Sequence, residues 1–196
     1  MAAVPGNLHT EPSGKIEINF AVARHQKKKD LGGDWCDVVE HQFGNDASEK
    51  MSVLDFAREE FYIEQFHIPH GVDFSLDSID LDIHYMVTTS ETAIVKFKIS
   101  LWHAYAGRTL SSIAAPDATY TYSLSFTGAA AQIFSVGYVE DALDLSAWQS
   151  NRNIHDGMIA KVERLAGADG DTHNGNFQLI HGEMWLPTDG RIIIPM

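Results

Sequence analysis

The chain has ten histidines, and these are the first candidates for chemistry. Imidazole is the commonest metal ligand and the acid–base group nearest neutral pH. His67 and His70 lie on either side of Pro69, His173 sits in an acidic loop, and His181 is followed by Glu183 two residues on. A metal enzyme built in a β-barrel wants a His-x-His pair and a Glu on one strand, with a third His on a later strand. The chain has no His-x-His. Zinc needs three or four ligands at fixed geometry. Strand-surface, loop and interface histidines are the competing reading. No metal and no other cofactor are expected.

The second candidate is the loop Ala166 to Asn176, rich in Gly, Asp and Asn. It has the composition of a calcium loop. An EF-hand would place an acid at the twelfth position counted from Asp169, but that residue is Ile180, and the flanking runs alternate like strands rather than helices. Two readings stay open. Asp169 and Asp171, with backbone carbonyls, could hold a hard cation. Alternatively the loop is a hairpin turn whose Asp and Asn bond backbone amides.

Nucleophilic catalysis has little to stand on. Cys36 follows Trp35 on a strand-like run and reads as a small buried apolar residue. There is no Gly-x-Ser-x-Gly elbow, phosphate loop or dinucleotide fingerprint. The carboxylate pairs Glu59-Glu60 and Asp80/Asp82 could do acid–base work. Asp80 and Asp82 alternate with apolar residues, however, and so are expected to face solvent. No catalytic residue is assigned. The aromatic residues Trp102, Trp148 and Trp185, with Tyr105, could stack on sugar rings or bury themselves in an interface.

These residues must be positioned by strands. Lys15 to Ala23, Trp35 to Phe43, Phe61 to Ile68, Ser78 to Val87, Ala93 to His103, Ala118 to Phe126, Gln132 to Val139, Met158 to Arg164 and Phe177 to Leu186 all alternate or read as short extended runs. In the third of these, Phe61 and Ile63 are taken as the core face, with a mixed Phe66/Ile68 end. In the run ending at Arg164, one side carries Met158, Ala160, Val162 and Arg164. Met51 to Glu60 is the one stretch with a helical pattern, with Ser48 or Ser52 as its cap. Asp141 to Trp148 is an apolar loop able to close over an end of the core.

About eight to ten short strands with no βαβ rhythm predict an all-β fold, a two-sheet antiparallel sandwich of jelly-roll type with at most one short helix. Residues 1–14 read as an extended N-terminal arm, and 15–196 as a single β-sandwich domain. The arm and the apolar tail Ile192-Ile193-Ile194 are expected to be ordered by contact with other subunits. The arm has too little apolar surface to offset an ordering entropy of about 1–2 kcal/mol per residue.

The 196 residues suffice for a real core, and 44% of them are hydrophobic. The net charge of −13 argues against a general nucleic-acid binder. No apolar run approaches the roughly 20 residues that span a bilayer, and the first residues do not read as a signal peptide. A single cysteine excludes an internal disulfide and suits a reducing interior.

From Gly157 to Leu186 the pattern resembles jelly-roll structural proteins of tailed bacteriophages, of the head-decoration (cement) or tail-fibre type. The residues that carry it are Gly157, the strand Met158 to Arg164, Asp171-Thr172, Gly175, Leu179 and Trp185. Upstream, Pro69, Gly71 and the strand ending at Trp102 extend it over about His67 to Pro187. The resemblance implies a non-enzymatic virion component assembled in the host cytoplasm. It would be a homotrimer whose partners are itself and other virion proteins, such as the major capsid protein, with neither nucleic acid nor membrane. A carbohydrate-binding β-sandwich at a receptor-binding fibre tip, or a cupin-like enzyme, is the alternative. Within the resembling stretch, Val162 and Leu179 are expected in the core, and Arg164 is expected to close the strand end on Asp171.

Overall fold

Strand periodicity turns into two stacked sheets in a computed structural model, which describes residues 15–20, 35–42, 50–106, 108, 115–126, 134–149 and 156–188. Among these lie ten strands: β1 (Lys15–Phe20), β2 (Asp37–Gln42), β3 (Lys50–Phe56), β4 (Phe61–His67), β5 (Ile79–Val87), β6 (Ala93–Ala104), β7 (Ala118–Phe126), β8 (Ser135–Leu143), β9 (Gly157–Arg164) and β10 (Phe177–Pro187). A one-turn helix, α1 (Ser146–Gln149), and a 3-10 turn at Gly167–Asp169 complete the described elements. The N-terminal arm and the Ile192–Ile194 tail lie outside the described residues.

The first sheet has the order β2-β3-β10-β5-β8, and the second β4-β9-β6-β7. One edge of β10 is taken by β5; the other is shared by β3 along Phe177–Leu179 and by β1 along Gly182–Pro187. The pairs β3·β10, β4·β9, β5·β8 and β6·β7 are rungs of one long antiparallel hairpin. Wrapping that hairpin adds β10·β5 and β9·β6. This is the jelly roll, as the alternation predicts.

The space between the sheets is filled with side chains. Leu54, Leu81, Ile83 and Leu179 from the first sheet meet Val95, Ile99, Met158 and Val162 from the second, all buried. An aromatic ladder crosses the gap: Tyr122 stacks on Phe97 at 4.8 Å, and Phe97 on Phe177 at 5.2 Å. Leu143, Leu145 and Trp148 cap one end, the closing role expected of 141–148.

Three local expectations are corrected. Lys50–Phe56 is strand, not the start of a helix. It pairs with β2 on one side and β10 on the other, and ladder bonds on both edges outweigh a weak helical propensity. The Glu59-Glu60 pair belongs to the tight turn that follows: Glu60 N–H donates to Ala57 O, and Glu59 has φ +68°.

In β4 the faces are reversed. Tyr62 and Phe66 sit opposite Val162 and Met158 of β9, and Ile63 is 39% exposed. Period-2 geometry means that a one-residue shift turns the whole strand over, and β9 selects the shift.

Asp80 and Asp82 are buried, not solvated. A register shift lies between Ile79 and Leu81. There Asp80 receives Lys15 Nζ at 2.8 Å, Asp141 N–H at 3.0 Å and the Tyr138 hydroxyl at 3.2 Å.

Candidate functional site

Arg164 ends β9 pointing inward and is 1% exposed. Its guanidinium has five N–H donors in a rigid fork, and all five are used. Nε and Nη2 grip Asp171 Oδ2 and Oδ1 at 2.9 and 3.0 Å. Nη2 also donates to His173 O, and Nη1 to Phe56 O and Gly175 O. Asp171 is therefore the partner that the sequence pointed to. It also accepts the N–H of Lys96 at 3.1 Å and of His173 at 3.1 Å, and Arg58 Nε at 3.4 Å.

That geometry corrects the cation-loop reading. Both oxygens of Asp171 are saturated by protein donors, while Asp169 is exposed in the 3-10 turn. The cation in this loop is the guanidinium itself.

Burial alone would raise the Asp171 carboxyl. The hydrogen bonds from Arg164 and the Lys96 amide, with the charges of Arg164 and Arg58, outweigh it and hold the group below its ordinary 3.8. A value lowered on folding stabilises fully above the unfolded value, and the gain is lost as pH falls through the folded one. Stability to urea should therefore drop steeply from about pH 5 downward. Asp171→Asn should flatten that slope. An unchanged slope in the variant would rule out Asp171 as its source.

A second polar pair is sealed at the capped end. His103 Nε2 lies 2.8 Å from Asp156 Oδ2, and both residues are buried. The imidazole stacks flat on Trp148 at 4.9 Å. Asp117 accepts the His103 N–H and pairs with Arg108. No nucleophile adjoins the pair among the contacts described, and its charge-assisted bond satisfies a polar plug under α1. Cys36 is no nucleophile either: burial, with nearby carboxylates, pushes its thiol far up.

The third cluster lies on the outer face of the first sheet, across its central strands. His84 is opposite His181, and Asp82 opposite Glu183. His181 Nε2 is 3.0 Å from Glu183 Oε1, and His84 Nε2 is 3.5 Å from the same oxygen. The two imidazoles stack at 4.1 Å. Asp82, backed by Glu183 and Glu17, raises the His84 imidazole against the lowering effect of burial. The sequence analysis singled out His181 with Glu183 and, separately, Asp82, but neither took His84 as a ligand nor brought the pairs together. A signal was there: Asp82-x-His84 and His181-x-Glu183 each place two ligand types on one strand face. What was hidden was that β5 and β10 are neighbours.

The tryptophans do not form a platform. Trp102 is on the outer face of the second sheet, opposite Ile159. Trp148 is in the core cap, and Trp185 is on the outer face of the first sheet, opposite Glu17 and Asp80. Three tryptophans on three surfaces cannot stack one sugar. Among the described residues, no histidines converge between the sheets as a cupin-like centre requires. His67 and His70 adjoin each other at 5.5 Å, and His173 faces Glu91 instead.

No protein-family model matches the chain, and no curated protein matches it. Among solved structures, a candidate sugar-binding protein from Bacteroides thetaiotaomicron VPI-5482 is similar at 9% identity, with a TM-score of 0.33, over 81% of this chain and 82% of that one. A likeness at that level carries no function across. The chain itself is an antiparallel two-sheet β-sandwich.

Proposed function

We propose that the chain is a structural jelly-roll subunit that works through contacts with other subunits. In this reading it is a capsid-decoration or minor-capsid protein of a tailed-phage virion and catalyses no reaction of its own. The observation that carries this reading is what the resembling residues do. Arg164 and Asp171 staple β9 to the loop. Thr172 continues the ladder onto β6, exchanging its N–H and hydroxyl with Ile94 at 2.8 and 2.9 Å. A Cβ on Gly175 would lie 2.7 Å from the Thr88 and Thr89 hydroxyls, so any larger residue there would have to push those side chains aside. The pattern is a way of locking a hairpin, which in this reading holds the subunit rigid for its contacts.

The edge strand β7 supports the same reading. Its nine residues, ATYTYSLSF, pair with β6 without a register shift and carry no charge, proline or glycine. Edges are normally blunted by such residues, and an unblunted one is a template for another chain. The neighbouring edge in the first sheet, β8, is blunted by Glu140, Asp141 and a register shift. In this reading β7 meets a second copy.

Light scattering on the purified protein should give three times 21.7 kDa, and Thr121→Lys with Ser123→Lys should give the monomer mass with the fold intact. A monomeric parent, or a trimer untouched by both lysines, would overturn the edge contact. Glycan binding lost with Trp102→Ala would favour the fibre-tip alternative.

A further inference from the structure

We infer that the outer face of the first sheet binds a divalent transition-metal ion of the zinc class, held by His84, His181 and Glu183 with Asp82 as the fourth donor. This goes beyond the subunit reading and does not depend on it.

The four residues are two adjacent cross-strand pairs on β5 and β10. Directly opposed side chains in an antiparallel sheet have Cβ atoms about 4.5–5.5 Å apart, which suits two imidazoles reaching one ion. The donor atoms of His84, His181 and Glu183 all lie within 4.8 Å of one another. Tetrahedral zinc with bonds of about 2.0–2.1 Å sets its ligand atoms roughly 3.3 Å apart. The contacts here are 3.0 Å for His181 to Glu183, 3.5 Å for His84 to Glu183 and 3.7 Å for His84 to Asp82. They bracket that value before any ion draws them in.

The cluster is also poorly satisfied by itself. Two imidazole Nε2 atoms converge on a single carboxylate oxygen, Glu183 Oε1. His84 Nε2 is buried and meets Glu183 Oε1 and Asp82 Oδ2 only at 3.5 and 3.7 Å, without hydrogen-bond geometry, and Asp82 Oδ1 is buried with no hydrogen-bond partner. Asp82 and Glu183 are like charges directly opposed across the ladder, an arrangement that destabilises a sheet, and Glu17 adds to the field on His84. Lys15, which could offset them, is held by Asp77 and Asp80 instead. A divalent cation would answer all three: it takes the spare lone pairs, neutralises the carboxylates and rests on two central strands. Two nitrogen donors favour zinc, cobalt, nickel or copper over magnesium and calcium, which take oxygen. The side chains are 19% and 27% exposed at His84 and His181, so the ion has a path from solvent.

The probe is cobalt(II) added to the tag-free, chelator-treated full chain, followed by its visible absorption, with zinc(II) as competitor. The expected result is one ion per chain, with bands of four-coordinate intensity that zinc abolishes. His84→Ala and His181→Ala should each weaken binding by at least about 100-fold, the upper end of what an outer-shell partner costs. Glu183→Gln should also weaken it. His84→Gln and His181→Gln repeat the test should an alanine variant lose its fold, as judged by circular dichroism. His67→Ala with His70→Ala should leave binding unchanged. No cobalt spectrum at stoichiometric metal would overturn the assignment. So would binding that survives in the folded His84 and His181 variants, or loss confined to the His67/His70 variant.

Discussion

Arg164→Ala should lower the unfolding free energy by about 3–5 kcal/mol, the usual cost of breaking a buried ion pair from one side. A domain has only about 5–15 kcal/mol in hand, so the variant is expected to be marginal. The reason lies less in the attraction lost than in what is left behind. Asp171 would stay buried with half its donors gone, and the carbonyls of Phe56, Gly175 and His173 would lose theirs. Arg164→Lys should recover only part of the loss, because an ammonium cannot span the fork. Replacing the pair together, Arg164→Met with Asp171→Leu, should cost less than either single change, since no charge is then stranded. Urea titration measures all four. Hydrogen exchange should show the 166–176 loop opening in Arg164→Ala before the rest of the sandwich. An Arg164→Ala protein within 1 kcal/mol of the parent (roughly the error of such comparisons) would mean that the staple is incidental.

Phe177→Ala should cost a comparable amount, about 3–5 kcal/mol, and Leu179→Ala about 2–5 kcal/mol. Phe177 is the middle of the ladder that joins the sheets: it contacts Phe97 at 5.2 Å, Tyr85 at 5.4 Å and Phe56 at 6.5 Å. Its removal opens a gap that strands on both sides cannot close without breaking their own ladders. Ile63→Ala should change stability by no more than about 0.5 kcal/mol, as for other surface positions. Melting curves on the set test the facing of β4 and β10 together. A large loss at Ile63 with a small one at Tyr62 would mean that β4 is turned over.

Much of this architecture is legible from residue order. Strict alternation in Ile79–Val87 and Ala93–Ala104 fixes strands, because only a period of two places those apolar residues on one face. The Gly- and Asp-rich loop between two such runs marks a hairpin end, and an arginine ending the inward face of β9, followed by acids, is enough to name the Arg164–Asp171 pair. These features are local, and local spacing determines them.

What needed the tertiary structure is everything set by neighbours. Met51 to Glu60 reads as helix until β2 and β10 claim both edges of Lys50–Phe56. Phe61 and Ile63 compete evenly with Tyr62 and Phe66 for the core until β9 chooses. Asp80 looks solvated until a register shift and Lys15 from β1 bury it. Trp102, Trp148 and Trp185 can be gathered on paper, but the wrap of the hairpin sends them to three surfaces. The cluster of His84, Asp82, His181 and Glu183 lies almost a hundred positions apart in the chain, roughly one wrap of a jelly roll. Pairing between strands distant in sequence depends on the closure of the whole sandwich, and side-chain periodicity within one strand carries no information about which strand will lie beside it.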